Sequence, residues 1–170
     1  MKICHYLSST NFAGIEQHVA ELVATQANDH EITILCNPEI ASNYKNFNVI
    51  NIKKANRRSL IGAYKIFKVL QLNKFDIVHA HGSKPAFVLS IVRYFINFNF
   101  IATVHGIKSN VQNFNNADYV IGGSQRALEG ITKPSSVIYN WYQSSSYEKQ
   151  SATHAIAVGR LEKVKGFDLL

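Results

Sequence analysis

The sequence predicts an α/β fold with a Rossmann-like, doubly wound parallel sheet, and two observations support this prediction. Short β-prone runs alternate with segments of helical spacing along most of the chain. Two of the runs, Asp76–Ala80 and Phe98–Val104, lack the alternating polar face of a half-exposed strand, and each is followed by a His-Gly pair. Because ligands bind outside the carboxyl ends of parallel strands, His81 and His105 are expected to face one crevice if these strands are neighbours.

The other elements follow from the same two periodicities. Further strands are predicted at Lys2–Leu7, Glu31–Cys36, Val49–Ile52, Ala117–Ile121, Val137–Tyr139 and Ala155–Val158. Helices are predicted at Ile15–Asn28, Ser59–Leu72, Ser83–Tyr94 and Gln125–Ile131, and another begins at Gly166. In the second of these helices the residues expected to face the core are Leu60, Ala63, Phe67 and Leu70. The segment Asn37–Asn48 is expected to be a polar loop.

Length and composition indicate a globular protein with a real core. The chain has 170 residues, of which 46% are hydrophobic, and no apolar run reaches the roughly 18 residues that a membrane span needs. The N-terminus does not have the pattern of a signal peptide. Cys4 and Cys36 fall in predicted strands and are expected to be reduced core residues. The expected location is therefore cytoplasmic, with peripheral association at the inner face of the plasma membrane left open.

The composition changes near the C-terminal end. Residues 143–153 are almost free of apolar side chains, which is typical of a linker. The strand and half-helix that follow are too short to build a core of their own. The sequence therefore predicts an N-terminal domain at 1–142, a linker at 143–153 and the truncated start of a second domain at 154–170.

The net charge of +7 is unevenly distributed. The segment Ala41–Phe75 contains no acidic residue, and a basic surface of this kind attracts anionic partners. Four basic residues are predicted to bind an anionic membrane surface, namely Lys53, Lys54, Arg57 and Arg58. The alternative is a solvated face that keeps the protein in solution. Nucleic-acid binding is not predicted, because the aromatic residues have core spacing instead of lying among the basic ones.

Two segments have features of phosphate-binding sites. The polar loop Ser8–Gly14 stands between a strand and a helix, where free N–H groups and the helix dipole can hold an anion. Later in the chain, Arg160 and Lys165 follow a predicted strand and precede a predicted helix, so the two cations could clamp a diphosphate. An ordinary solvated basic turn is equally compatible with the spacing of this second segment.

Three histidines are predicted to lie close together. His79 and His81 are two residues apart on one strand and therefore share a face, and His105 is expected nearby. Three histidines could bind zinc, but the strand ends supply no carboxylate or cysteine, so no metal site is predicted. His79 lies within its strand and is expected to be a hydrogen-bonded core residue.

Six short motifs resemble those of the retaining glycosyltransferases of family 4, which have the two-domain GT-B fold. These motifs are Ala13-Gly-Ile-Glu16, Asp76-Ile-Val-His-Ala-His81, Thr103-Val-His-Gly106, Ala117-Asp-Tyr-Val-Ile-Gly-Gly-Ser124, Val137-Ile-Tyr-Asn140, and Val158-Gly-Arg-Leu161 with Lys165-Gly166. They occur in the family's order and span nearly the whole chain. Two features depart from the family pattern: Ala13 replaces the usual first glycine, and the twelve residues between His105 and Asp118 form a short loop.

The resemblance implies a role for particular residues. It implies a catalytic position for His105 at the reacting centre and an acceptor-binding position for Glu16 and His81. It also implies that the donor diphosphate is bound by Arg160, Lys165 and Gly14, where Gly14 would let the backbone approach the donor phosphate or the acceptor. No metal or other cofactor is implied, because protein cations and N–H groups stabilise the charge that develops on the leaving nucleotide diphosphate. The nucleotide-sugar is a co-substrate.

The resemblance also implies the reaction of the intact enzyme. A sugar is transferred, with retention, from a nucleotide-sugar donor to a glycan or lipid-linked acceptor, in bacterial cell-surface polysaccharide or lipopolysaccharide synthesis. This chain would supply the N-terminal, acceptor-binding part and is expected to be inactive alone. The alternative from another class is a non-catalytic α/β module that binds a nucleotide or a sugar phosphate.

Overall fold

The computed structural model describes residues 1–53, 60–141, 154, 156–159 and 166–167. The chain divides into two compact units, Met1–Asn140 and Trp141–Leu170. Every strand and helix discussed below belongs to the first unit. The predicted linker at 143–153 lies outside the described residues, as do Lys54, Arg57, Arg58, Arg160 and Lys165.

Seven strands form one parallel sheet, which confirms the predicted doubly wound α/β fold. In chain order the strands are β1 Lys2–Tyr6, β2 Glu31–Cys36, β3 Asn48–Asn51, β4 Ile77–His81, β5 Asn99–Val104, β6 Tyr119–Gly122 and β7 Ser135–Val137. Their order across the sheet is β3-β2-β1-β4-β5-β6-β7. The chain therefore winds outward from β1 in one direction and from β4 in the other, so the switch point lies between β1 and β4.

Helices cover both faces of this sheet. They are α1 Gly14–Gln26, α2 Pro38–Ala41, α3 Leu60–Asn73 and α4 Ser83–Val92, with short 3-10 helices at Ser42–Tyr44, Phe114–Asn116 and Gln125–Leu128. On one face, Ile3 and Leu7 pack with Val19 and Val23 of α1. On the other face, the alternate residues of β1 pack among side chains of α3 and α4. Cys4 and Cys36 are buried free thiols within these layers, as predicted.

Several local predictions were wrong. Leu60 was expected to face the core, but it is 82% exposed. The buried side of α3 is formed by Gly62, Ile66 and Leu70. Leu60 lies two residues before Gly62, and two residues are more than half a helical turn, so its side chain points to the opposite side of the helix. The helix predicted at Gln125–Ile131 is only a 3-10 turn. Gly130 follows with a φ of +80°, a left-handed conformation that cannot continue the helix.

A third error concerns the strand predicted at Ala155–Val158. Residues 156–158 have no strand structure and are exposed, and Ala155 lies outside the described residues. A strand is stable only when a neighbouring strand pairs with its backbone groups, and an apolar run in the sequence does not show that such a neighbour exists. The segment Asn37–Asn48 also contains more structure than a loop. There, Asn37 Oδ1 accepts a hydrogen bond from the Glu39 N–H at 3.3 Å, and Pro38 opens α2.

Among the described residues, no helix combines the length and the apolar character that crossing a membrane requires.

Candidate active site at the carboxyl edge of the sheet

The carboxyl ends of β1, β4 and β5 bring histidines together beside the switch point. In the register of the sheet His5 lies opposite His79, and His81 lies opposite Thr103. His105 is the first residue after β5, so it lies at the same edge. The predicted meeting of His81 and His105 is confirmed, because Nδ1 of His81 is 3.2 Å from Nε2 of His105.

The histidines form a buried hydrogen-bonded series. Nε2 of His5 is 2.8 Å from Oε1 of Gln26, at the end of α1, and Nδ1 of His5 is 2.9 Å from Nε2 of His81. His79 stands beside this series, with its Nε2 2.7 Å from the Thr103 hydroxyl and its ring centroid 4.2 Å from that of His81. His79 is thus the hydrogen-bonded core residue that the sequence predicts.

Burial keeps these imidazoles neutral at pH 7. Burial lowers the pKa of His5 to about 4, although the hydrogen bond to Gln26 acts in the other direction and raises this pKa. The pKa values of His79 and His81 are well below the usual 6.5, first because of burial and then because neighbouring histidines would repel a proton. Burial, together with nearby His18 and Lys108, lowers the pKa of His105 to about 4. Each ring therefore carries a single proton near neutral pH.

The loop before α1 is held by a buried carboxylate. Glu16 accepts a hydrogen bond from the backbone N–H of Ala13 at 2.9 Å and another from the Ser9 hydroxyl. The Tyr44 hydroxyl donates to the backbone carbonyl of Glu16 at 2.8 Å, which ties the loop to the next connection of the sheet. Glu16 thus holds the loop at residues 9–13 in place through these hydrogen bonds. Its predicted contact with an acceptor stays a prediction, as does that of buried His81.

Gly14, the first residue of α1, faces open space. A Cβ added there would meet no atom within 4 Å, and the φ of Gly14 is not in the left-handed region. Neither packing nor backbone conformation requires glycine at this position within the described structure. Glycine at this position would leave room for a ligand at the start of α1, where the first N–H groups of a helix can bind an anion. The binding of a diphosphate by Gly14 stays a prediction.

Sequence reasoning missed three members of this edge, namely His5, His18 and Gln26. His18 projects from α1 and meets the ring of His105 edge-on, with centroids 4.9 Å apart. The sequence did contain a signal for His5. A doubly wound strand order places β1 beside β4. Because side chains alternate along a strand, His5 then lies on the same face as Ile3 and Leu7, which is the face that α1 covers. Gln26 carried no comparable signal, because its contact depends on how α1 packs.

Within the part of the chain that the structure describes, one group of side chains has the separation that a metal ion needs. One nitrogen from each of His5, His79 and His81 lies within 4.8 Å of the others. The group differs from the three histidines considered from sequence, since His5 takes the place of His105. It contains no carboxylate or thiolate, so a divalent charge would be buried with neutral ligands only. The described contacts instead give each ring a protein hydrogen-bond partner.

Comparison with known proteins agrees with this architecture. The family model for Glycosyltransferase Family 4 matches residues 12–163. No curated protein matches the chain. Among solved structures, a lipopolysaccharide outer core galactosyltransferase, WaaB in its apo form, superposes with a TM-score of 0.67 at 20% identity, covering 82% of this chain and 46% of that one.

Two further structures are similar over nearly the same region. Anabaena Alr3699/HepE in complex with UDP and glucose gives a TM-score of 0.64 at 17% identity, covering 84% of this chain and 45% of that one. Acinetobacter baumannii MurG gives 0.62 at 13% identity, covering 84% and 47%. These TM-scores show a shared fold, and this chain spans less than half the length of each of the three proteins.

Proposed function

This chain belongs to glycosyltransferase family 4 as an N-terminal GT-B domain, and we propose that the intact protein transfers a sugar from a nucleotide-sugar to a glycan or lipid-linked acceptor. The proposed setting is the synthesis of a bacterial cell-surface polysaccharide or lipopolysaccharide. The proposed stereochemistry is retention at the anomeric carbon. In the reaction the bond from this carbon to the diphosphate breaks, a hydroxyl oxygen of the acceptor bonds to the same carbon, and the proton of that hydroxyl passes to an oxygen of the departing diphosphate.

The position of His105 is the observation that supports the proposal most strongly. It is the only partly exposed ring of the series that runs through His5 and His81, and it follows directly after β5. A general base works best when its pKa lies near the working pH, whereas the pKa of His105 is lowered to about 4. We therefore assign His105 to the reacting centre as a neutral hydrogen-bonding group that holds the donor sugar, without accepting a full proton.

The donor side is assigned to the start of α1 and to two cations. Open space at Gly14 gives a phosphate access to the first N–H groups of this 13-residue helix. Arg160 and Lys165 are assigned to the diphosphate from the family resemblance alone. Anabaena Alr3699/HepE, which shares the fold, has been solved with UDP-glucose, and this supports a nucleotide-sugar as the donor here. Side-chain cations and helix N–H groups would meet the charge of the leaving group, so the proposal needs no metal.

An anionic membrane surface is the proposed location of the lipid-linked acceptor. A groove of about 350 Å³ between α3 and α4 is lined almost entirely by apolar side chains, including Tyr64, Phe67 and Phe95. Two of its lining residues, Leu60 and Phe95, are 82% and 74% exposed. An apolar surface of this kind, rimmed by polar residues, is typical of a protein or membrane contact.

Basic residues accompany this apolar surface. Lys65 and Lys68 are exposed on α3, and Lys53 is exposed just before the segment that leads to this helix. Each basic residue near an anionic bilayer contributes roughly 1 kcal/mol. The predicted contributions of Lys54, Arg57 and Arg58 would add to theirs. Insertion of the apolar side chains into the bilayer and attraction of the basic side chains to anionic lipid would together bind the enzyme reversibly to the membrane surface, where a lipid-linked acceptor lies.

The assay for this function uses the full-length protein, a panel of nucleotide-sugars and lipid extracts as acceptors. The proposal predicts release of nucleoside diphosphate that depends on both the donor and the acceptor, with sugar appearing in the lipid fraction. Binding of a nucleotide-sugar without turnover, for every donor and extract, would favour the non-catalytic binding module.

A further inference from the structure

We infer that Gln26, His5 and His81 fix the tautomer of His105, so that His105 presents a bare Nδ1 as a hydrogen-bond acceptor at the reacting centre. The part of this inference that concerns the substrate rests on the proposed function. The tautomer itself is a property of this chain and can be measured without any substrate.

The direction of the series is set at Gln26. The amide oxygen of Gln26 has no proton, so the contact of 2.8 Å requires Nε2 of His5 to be the donor. The His5 ring is neutral and has only one proton, so its Nδ1 must be bare. The contact of 2.9 Å between this Nδ1 and Nε2 of His81 then requires His81 to donate.

The same reasoning carries the direction to His105. Nε2 of His81 holds the single proton of that ring, so Nδ1 of His81 is bare and accepts from Nε2 of His105 across 3.2 Å. The remaining nitrogen of His105 is Nδ1, which carries no proton in this arrangement. A sugar hydroxyl meeting this nitrogen would have to donate its hydrogen. The series thus selects the direction of a hydrogen bond at the reacting centre.

The surroundings favour one proton per ring. Gln26 is partly buried, and His5 and His81 are buried, so water has little access to break the two inner hydrogen bonds. His79 takes no part in the series, because its Nε2 contacts the Thr103 hydroxyl. His79 disfavours a second proton on His81, and His18 and Lys108 disfavour a second proton on His105.

A reversed series would have an equally complete set of hydrogen bonds. If the amide nitrogen of Gln26 faced His5, every proton would move to the other nitrogen of its ring, and His105 would present Nδ1–H as a donor. The orientation of one amide therefore decides the chemistry of a ring two histidines away. Gln26 and His5 are positioning residues in this scheme, since they act on a substrate only through other rings, and His81 positions His105 by passing on the direction of the series.

The test is a histidine-labelled NMR measurement on the full-length protein at pH 7 without ligand. Long-range ¹H–¹⁵N correlations distinguish a protonated from a bare nitrogen in each ring. We expect His5, His81 and His105 each to be protonated at Nε2 alone. Protonation of His105 at Nδ1 in the unmodified protein would overturn the inference, whatever the variants do.

Variants of Gln26 test the cause. Gln26→Met removes the acceptor at similar size, and the single tautomer of His105 is expected to become a mixture, whereas Gln26→Glu keeps an acceptor and should keep the tautomer. Gln17→Met, on an exposed part of the same helix, is the matched control and should leave the spectrum of the three rings unchanged. An unchanged His105 tautomer in Gln26→Met would overturn the role of Gln26. Neither result depends on transferase activity, so the proposed function stands or falls separately.

Discussion

Nδ1 of His81 lies 3.2 Å from Nε2 of His105, and this contact joins the last residue of β4 to the first residue after β5. The strands are hydrogen-bonded neighbours, and the backbone N–H of Gly82 donates to the carbonyl of Thr103 at 3.1 Å just beside the two rings. The position of the candidate catalytic histidine is therefore fixed by both main-chain and side-chain contacts.

Substitution of two glycines should separate function from packing. Gly14→Ala is expected to leave the melting temperature nearly unchanged, because a Cβ there meets no atom within 4 Å, but to weaken the use of nucleotide-sugar by the full-length enzyme. Gly122→Ala is the contrasting change, since its Cβ would lie 2.5 Å from Cγ of Leu128. We expect that overpacking to cost about 1–3 kcal/mol of unfolding free energy. Thermal melts measure the stability of the two variants, and steady-state kinetics measure their use of the nucleotide-sugar. A Gly14→Ala enzyme with full activity would contradict a phosphate site at Gly14.

Stability should fall on mild acidification. The pKa of His5 is about 4 in the folded state and 6.5 is the ordinary value, so between these pH values the unfolded chain binds more protons than the folded one. Stability contributed by neutral His5 is thus present above pH 6.5 and lost as the pH falls toward 4. For His5 alone the loss at pH 5 is about 2 kcal/mol. His79, His81 and His105 act in the same direction.

Urea unfolding at pH 7.5 and at pH 5 measures this loss. His30→Gln changes a histidine outside the series and serves as the control, which should keep the full loss between the two pH values. Equal urea midpoints at both pH values would show that the buried rings do not remain neutral in the folded protein.

Much of this edge could be predicted from the sequence, and the limits have physical causes. The parallel sheet, the meeting of His81 and His105 and the burial of His79 follow from strand periodicity and from His-Gly pairs at strand ends. The role of Gln26 could not be predicted, because it depends on the packing of α1 against the sheet. Leu60 was misplaced because the apolar residues of α3 surround the helix, so their spacing alone did not identify its buried side.

The 170-residue chain alone should bind nucleotide-sugars weakly. Only Gly14 and the neighbouring helix N–H groups belong to the described part of the proposed donor site, and the assigned cations Arg160 and Lys165 lie near the end of this chain. Calorimetric titration with common nucleotide-sugars should show no dissociation constant below about 1 mM, which corresponds to about −4 kcal/mol. Micromolar affinity would mean that the main donor contacts are already present in this chain.

Liposome co-sedimentation should detect the proposed membrane surface. Binding is expected to require anionic lipid, to fall between low and physiological salt, and to weaken when Lys53, Lys54, Arg57 and Arg58 are changed to Ser. Phe95→Ser should weaken it as well, because this side chain lines the apolar groove. Lys133→Ser changes an exposed lysine outside the basic segment and should have no effect. Equal sedimentation with neutral vesicles would refute the proposal.

The most direct test of the account is the turnover of the full-length His105→Ala enzyme with its nucleotide-sugar and acceptor. We predict a fall of about a hundredfold or more, the usual scale for losing one positioned polar group at a reacting centre. The far-UV circular dichroism spectrum should remain unchanged, because His105 follows β5 without filling the sheet core. A folded His105→Ala protein that turns over at the normal rate would contradict the placement of the reaction at this edge.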